Sequence, residues 1–138
     1  THFIKVSIPE ETILFDADSR MIVKVLVNLL QNAIKFSPVG STIQLNIIKK
    51  KKNIIFEVVD EGIGLSDHEK LRVFDLFYSI KPKNKQQRQG LGLGLSICKA
   101  IIEAHQGFIR VLDNQPTGSK FVFSLKVKED DGEKNIDH

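Results

Sequence analysis

One cysteine, Cys98, is the whole thiol content of this 138-residue chain, so no disulfide can form within it and a reducing compartment is expected. Set between Ile97 and Ile101 in a helical pattern, it reads as a buried core thiol rather than a reactive one. No apolar run approaches the roughly 18–20 residues of a membrane span. The opening THFIKVSIPE has no signal-peptide layout. Also missing are G-x-x-x-x-G-K-[ST], a third glycine after Gly92-Leu93-Gly94 to complete the dinucleotide fingerprint, and the H-R-D signature of protein kinases. Three common ways of holding a nucleotide are thereby excluded. With four scattered histidines and one cysteine there is no zinc-type ligand cluster. His68 and His105 read as structural or surface residues.

What is present is ordinary globular composition, 41% hydrophobic and 27% charged, in a chain of one-domain size that can bury a real core. The net charge of +3 hides an asymmetry, because the last ten residues, EDDGEKNIDH, hold five acids and one lysine. The remaining body carries 19 basic against 12 acidic residues, or +7. Such a body suits a polyanionic ligand without choosing between nucleotide, nucleic acid and membrane. Residues 129–138 are expected to form a disordered acidic tail after a single domain spanning 1–128.

Alternation in HFIKVSI and TILFD predicts two short strands around a turn at Pro9-Glu10-Glu11. Asp18 is a good N-cap for a helix over 19–36, closed by Ser37-Pro38-Val39-Gly40. STIQLNII and NIIFEVVD read as paired strands joined across Lys49 to Lys52. That lysine run is better taken as a solvated hairpin tip than as a nucleic-acid contact, since no aromatics interleave it. A short helix, SDHEKLRVFDLF, is capped by Ser66. Residues 78–90 form the longest loop. A helix runs from Leu93 to His105 with Gly107 just past it, and GFIRVL and KFVFSLKV close the chain around the turn NQPTGS. The fold class is α+β, an α/β sandwich: a mixed sheet of about five strands covered on one face by three helices.

On the long helix, Ile22, Val23, Leu26, Leu29, Leu30, Ala33 and Ile34 cover a broad apolar arc, while Lys24, Asn28, Gln31, Asn32 and Lys35 share a polar stripe. Asn28 and Asn32 stand four apart, so their amides project side by side. Asparagine is a poor helix former. An amide oxygen is a hard neutral ligand suited to Mg²⁺, and a neighbouring lysine can meet a phosphate. The stripe is equally readable as the wet face of the helix. In DEGIGL, Asp60 ends a strand and could accept a hydrogen bond from an amine such as adenine's, with Gly62 and Gly64 allowing close backbone approach. In GLGLGL, residues 90–95, glycines sit immediately before a helix, where one costs about 1 kcal/mol relative to alanine. The run is either a plain loop or a place where a ligand comes close to the backbone. A helix beginning there points unpaired N–H groups toward an anion.

Taken in order, NLLQNAIKFS resembles the N box, DEGIGL the first glycine box, FDLF the F box and GLGLGL the second glycine box of sensor histidine kinases. The resemblance runs from about Phe3 to Val127. It implies the Bergerat-type ATP-binding sandwich, shared with type II topoisomerases, Hsp90 chaperones and mismatch-repair MutL proteins. It further implies that Asn32 coordinates Mg²⁺ with Asn28 assisting, that Lys35 contacts phosphate, and that Asp60 reads adenine beside Gly62, Gly64 and Leu65. Phe74 and Phe77 would brace an ATP lid over about 78–91, and Gly90, Leu91, Gly92, Leu93, Gly94 and Leu95 would form its hinge and phosphate turn. Arg88, or one of Lys81, Lys83 and Lys85, would offset γ-phosphate charge. ATP-hydrolysing members place a glutamate where this chain has Asn28, which cannot take a proton; that argues for histidine-kinase usage over an ATPase clamp.

None of His2, His68, His105 or His138 lies in a context resembling H-E-[LF]-[RK]-[TN]-P, so the phosphoacceptor is expected on another domain. The implied partners are that domain and a response regulator, with no nucleic acid and no direct membrane contact. The implied setting is the cytoplasmic part of a membrane-anchored kinase, and the closing strands resemble those of potassium-responsive sensor kinases. A nucleotide site that has become vestigial is the remaining alternative.

Overall fold

Asp18 starts the longest element. Its carboxylate accepts from the Arg20 N–H, and helix α1 runs from Ser19 to Phe36 as its apolar spacing predicts. A computed structural model describes residues 1–78 and 94–128 of the chain. In it a five-stranded sheet consists of β1 (Phe3–Ser7), β2 (Thr42–Lys50), β3 (Asn53–Val59), β4 (Phe108–Asp113) and β5 (Ser119–Lys126). Their order is β1-β2-β3-β5-β4; β1 and β2 are parallel and every other pair is antiparallel. Helices α2 (Asp67–Arg72) and α3 (Gly94–Ala104) complete the set, so the mixed sheet with three helices stands as read from the sequence.

One face of the sheet supplies the core. Ile54, Phe56 and Val58 of β3 lie opposite Leu125, Phe123 and Phe121 of β5, and all six are buried. The Phe56 and Phe123 rings stack at 4.5 Å between centroids, and Phe15 meets Phe56 edge-on at 6.0 Å. α1 and α3 pack on this face and against each other. α2 buries none of its own residues; Val73 and Phe74, just after it, anchor the segment in the core.

Four local expectations differ from the structure. TILFD is not a strand: Ile13, Phe15 and Ala17 do point inward, but onto the core rather than into a ladder. The Leu14 carbonyl accepts from Lys128 instead of from a strand partner. The β2–β3 hairpin keeps Lys49 and Lys50 within β2, so the tip is Lys51-Lys52, with Lys51 at φ 58°. α2 stops at Arg72 rather than continuing to Phe77. The apolar arc of α1 is also rotated: Val25, outside the expected set, is fully buried, whereas Val23 and Ile34 are 56% and 39% exposed. α3 is the reason, since it lies on the Val25 flank, where the Cys98 thiol points at the Val25 carbonyl at 3.9 Å.

α3 ends as a closed motif. Gln106 N–H donates to the Glu103 carbonyl and Gly107 N–H to that of Ile102, with Gln106 in the left-handed region at φ 62°. Gly107 thus serves another need than the expected helix stop: a Cβ there would run into the Ser124 carbonyl of β5. The expected loop and lid over 78–91, apart from Tyr78, and the acidic tail lie outside the described residues, as does Leu93.

Candidate functional site

The site begins where the two central strands end. Asp60, one residue past β3, is 5% exposed, and its N–H donates to the Ser119 carbonyl at 2.9 Å. Its Oδ1 accepts from Gly62 N–H at 2.9 Å and from Ser119 N–H at 3.1 Å. Among the described residues no donor reaches Oδ2. Burial raises the Asp60 pKa above the ordinary carboxylate value, and the two main-chain hydrogen bonds pull it back only in part. A buried carboxylate with one oxygen committed and, among the described residues, no donor on the other is configured to accept from a ligand.

That carboxylate lines a cavity. Asn32 and Phe36 come to it from α1, Gly64 and Leu65 from the loop after β3, and Ser119 and Phe121 from β5. Sequence reading placed Asn32, Asp60, Gly64 and Leu65 here but missed Phe36, Ser119 and Phe121. Phe36 directly follows Lys35, so only its burial beside the DEGIGL loop could have singled it out. Gly62 is required by close approach, because a Cβ there would meet the Phe36 carbonyl.

The polar stripe of α1 divides. Lys24 and Gln31 are exposed, as a wet face demands, whereas Asn28, Asn32 and Lys35 are half-buried. Asn28 stands beside α3: its amide lies 3.8 Å from where a Cβ on Gly94 would be, and its side chain hydrogen-bonds Cys98. Desolvation pushes the Cys98 thiol up to about 11, with the Asn28 contact opposing that shift. Cys98 is therefore the buried, unreactive thiol its flanking isoleucines predict. Desolvation also lowers the Lys35 pKa, and its Nζ sits 5.3 Å above the Phe36 ring. Asn28, Asn32 and Lys35 are thus the half-buried part of the stripe, and of the three Asn32 lines the cavity.

The two F-box aromatics separate as well. Phe74 packs edge-on against Phe121 at 6.0 Å and so backs the cavity wall. Phe77 is 70% exposed and holds φ 64°, rare for a bulky side chain. Leu95 is buried in the core. Arg88, Gly90, Leu91, Gly92 and Leu93, with Lys81, Lys83 and Lys85, lie outside the described residues.

The model of the family described as histidine kinase-, DNA gyrase B- and HSP90-like ATPases matches residues 17–129. The chain belongs to that family. Within the family it is 45% identical over 124 residues to the sensor protein KdpD of Clostridium acetobutylicum, covering 90% of this chain and 14% of that protein. It is 32% identical over 126 residues to the sensor histidine kinase WalK of Bacillus subtilis, covering 90% and 21%. Two solved structures of the family agree in fold. The catalytic domain of histidine kinase ThkA superposes with a TM-score of 0.78 at 28% identity, over 91% of this chain and 80% of that one. The mycobacterial sensor histidine kinase MprB gives 0.77 at 26% identity, over 94% and 84%. The chain thus has the sandwich of histidine-kinase catalytic domains and spans under a third of these curated relatives.

Proposed function

We propose that this domain binds MgATP between α1 and the loop after β3, and donates the γ-phosphoryl group to a histidine on a separate dimerisation and phosphoacceptor domain, for relay to a response-regulator aspartate. The observation that carries this reading is Asp60, whose Oδ2 meets no donor among the described residues and which lines a cavity together with Asn32. Oδ2 would accept from the exocyclic amine of adenine, while Phe36, Leu65 and Phe121 flank the base. The amide oxygens of Asn28 and Asn32 suit Mg²⁺, a hard cation that takes oxygen ligands. When bound, it would screen charge on the triphosphate. Lys35 would meet a phosphate, and the anion would restore the ammonium pKa that desolvation lowers.

Asn28 stands where a hydrolytic relative would carry its general base, and an amide takes no proton. The ATPase clamp is accordingly not favoured. An imidazole nucleophile needs no base from this domain. Similarity to KdpD at 45% identity supports a place among potassium-responsive sensor kinases, with this domain on the cytoplasmic side of a membrane-anchored protein. Among the described residues no helix is long and apolar enough to cross a membrane.

The test is calorimetric titration with MgADP and a non-hydrolysable MgATP analogue. Saturable binding is expected, lost in Asp60→Ala and altered in its Mg²⁺ dependence in Asn32→Asp. Phosphotransfer to a supplied histidine domain would follow. Absence of binding by the intact chain would overturn the reading.

A further inference from the structure

The loop that carries Asp60 is gripped by a turn more than fifty residues away. Asn114 Nδ2 donates to the Asp60 carbonyl at 2.9 Å, and Thr117 Oγ1 donates to the Gly62 carbonyl at 2.8 Å. The two accepting carbonyls bracket the Glu61-Gly62 stretch, so the chain is fixed at both ends of the bend that follows the carboxylate. The turn itself is closed by Asn114 N–H donating to the Gly118 carbonyl at 3.0 Å. Gly118 holds φ 109°, and a Cβ there would collide with the Asp60 carbonyl. A Cβ on Gly64 would in turn come within 3.2 Å of the Gly118 carbonyl. The two segments are pressed together where Gly118 meets Asp60 and Gly64.

None of these contacts belongs to the β3–β5 ladder, which reaches Asp60 through its own N–H and Ser119. The sheet would persist without the Asn114 and Thr117 side chains. What they add is the orientation of the bend beyond it. We propose that Asn114 and Thr117 are positioning residues for base selection, locking the bend so that the open oxygen of Asp60 points one way. The inference rests on the reading that Asp60 meets adenine. A fixed carboxylate oxygen accepts from the adenine amine and repels the carbonyl that guanine carries at the same place. A loosened bend lets the carboxylate turn away, which weakens the first interaction and relieves the second.

The experiment measures MgADP and MgGDP affinities of the whole chain by calorimetry for wild type, Asn114→Ala, Thr117→Val and Thr117→Ser. Thr117 lies at the surface, so Thr117→Val keeps bulk, removes the hydroxyl and leaves the core untouched. Loss of one such hydrogen bond predicts about a 5-fold weaker MgADP affinity and an ADP-to-GDP preference lower by at least that factor. Thr117→Ser is expected to restore both. A merely structural turn would lower the melting temperature and leave the preference unchanged, which overturns the proposal. So does wild-type preference in both Asn114→Ala and Thr117→Val. If wild type binds neither nucleotide, or binds them equally, the assignment of Asp60 falls first and this inference falls with it.

Discussion

At the scale of single residues, Asp60 sets function against stability. Its raised pKa means that ionisation is harder in the folded chain than in the unfolded one. Its contribution to stability is therefore full below the ordinary carboxylate value of 3.8 and is lost as pH rises through its raised value. Once ionised, Asp60 is a desolvated charge in the folded protein. Asp60→Asn removes that charge and keeps an oxygen for Gly62 and Ser119, so the melting temperature at pH 7 is expected to hold or rise. The same change points an amide N–H at the adenine amine, and MgADP affinity is expected to fall ~10–100-fold by calorimetry. Cys98 yields a second prediction with the same sign. With its thiol held up to about 11, stability is lost as pH climbs from 9 toward 11. Alkylation by iodoacetamide at pH 8 should be far slower in the native chain than in urea, as mass spectrometry would show. Of the residues that line this cavity, Asn32 and Asp60 were candidates by residue type and spacing, and only the resemblance of their motifs to sensor histidine kinases set them above a wet helix face and a common turn. Ser119 and Phe121 were not, because they reach the cavity only through the pairing of β5 with β3, which no local pattern encodes.

At the scale of elements, capping signals proved the most legible. Asp18 caps α1 as expected, and Ser66 forms a full capping box with Glu69, its Oγ accepting from Glu69 N–H at 3.1 Å and Glu69 Oε1 accepting from Ser66 N–H at 3.0 Å. Where TILFD misled, the alternation was real but its cause was burial against Phe56 and its neighbours rather than strand pairing. The end of α3 shows how a correct residue can be placed for a different reason. Gln106 occupies the left-handed position and Gly107 the crowded one. Gln106→Gly is therefore expected to stabilise the chain by ~0.5–1 kcal/mol, by relieving a conformation that costs L-residues about that much or more. Gly107→Ala is expected to destabilise it by about 2 kcal/mol or more, since β5 backbone must move. Urea denaturation of both variants separates the two roles.

At the scale of the whole molecule, binding and folding are linked. A ligand that binds only the native state stabilises it by about 2.7 kcal/mol at 100 times its dissociation constant. For a chain of this size that amounts to a rise of roughly 8–10 °C in melting temperature. Saturating MgADP should produce it in wild type and not in Asp60→Asn, as scanning calorimetry would read directly. The strand order adds a consequence of its own. β3 and β5 pair with each other inside the sheet and each is flanked on both sides, and the amides of Asp60 and Ser119 are tied together where those strands meet the cavity. Both protons sit in buried hydrogen bonds at the end of the β3–β5 pairing and exchange with solvent only when that end opens. In deuterium, these two amides should hold their protons about as long as Phe56 and Phe123, before any nucleotide is added. On the proposed reading of Asp60, the base end of the site is finished when the protein finishes folding, and little of the binding energy is diverted to ordering it.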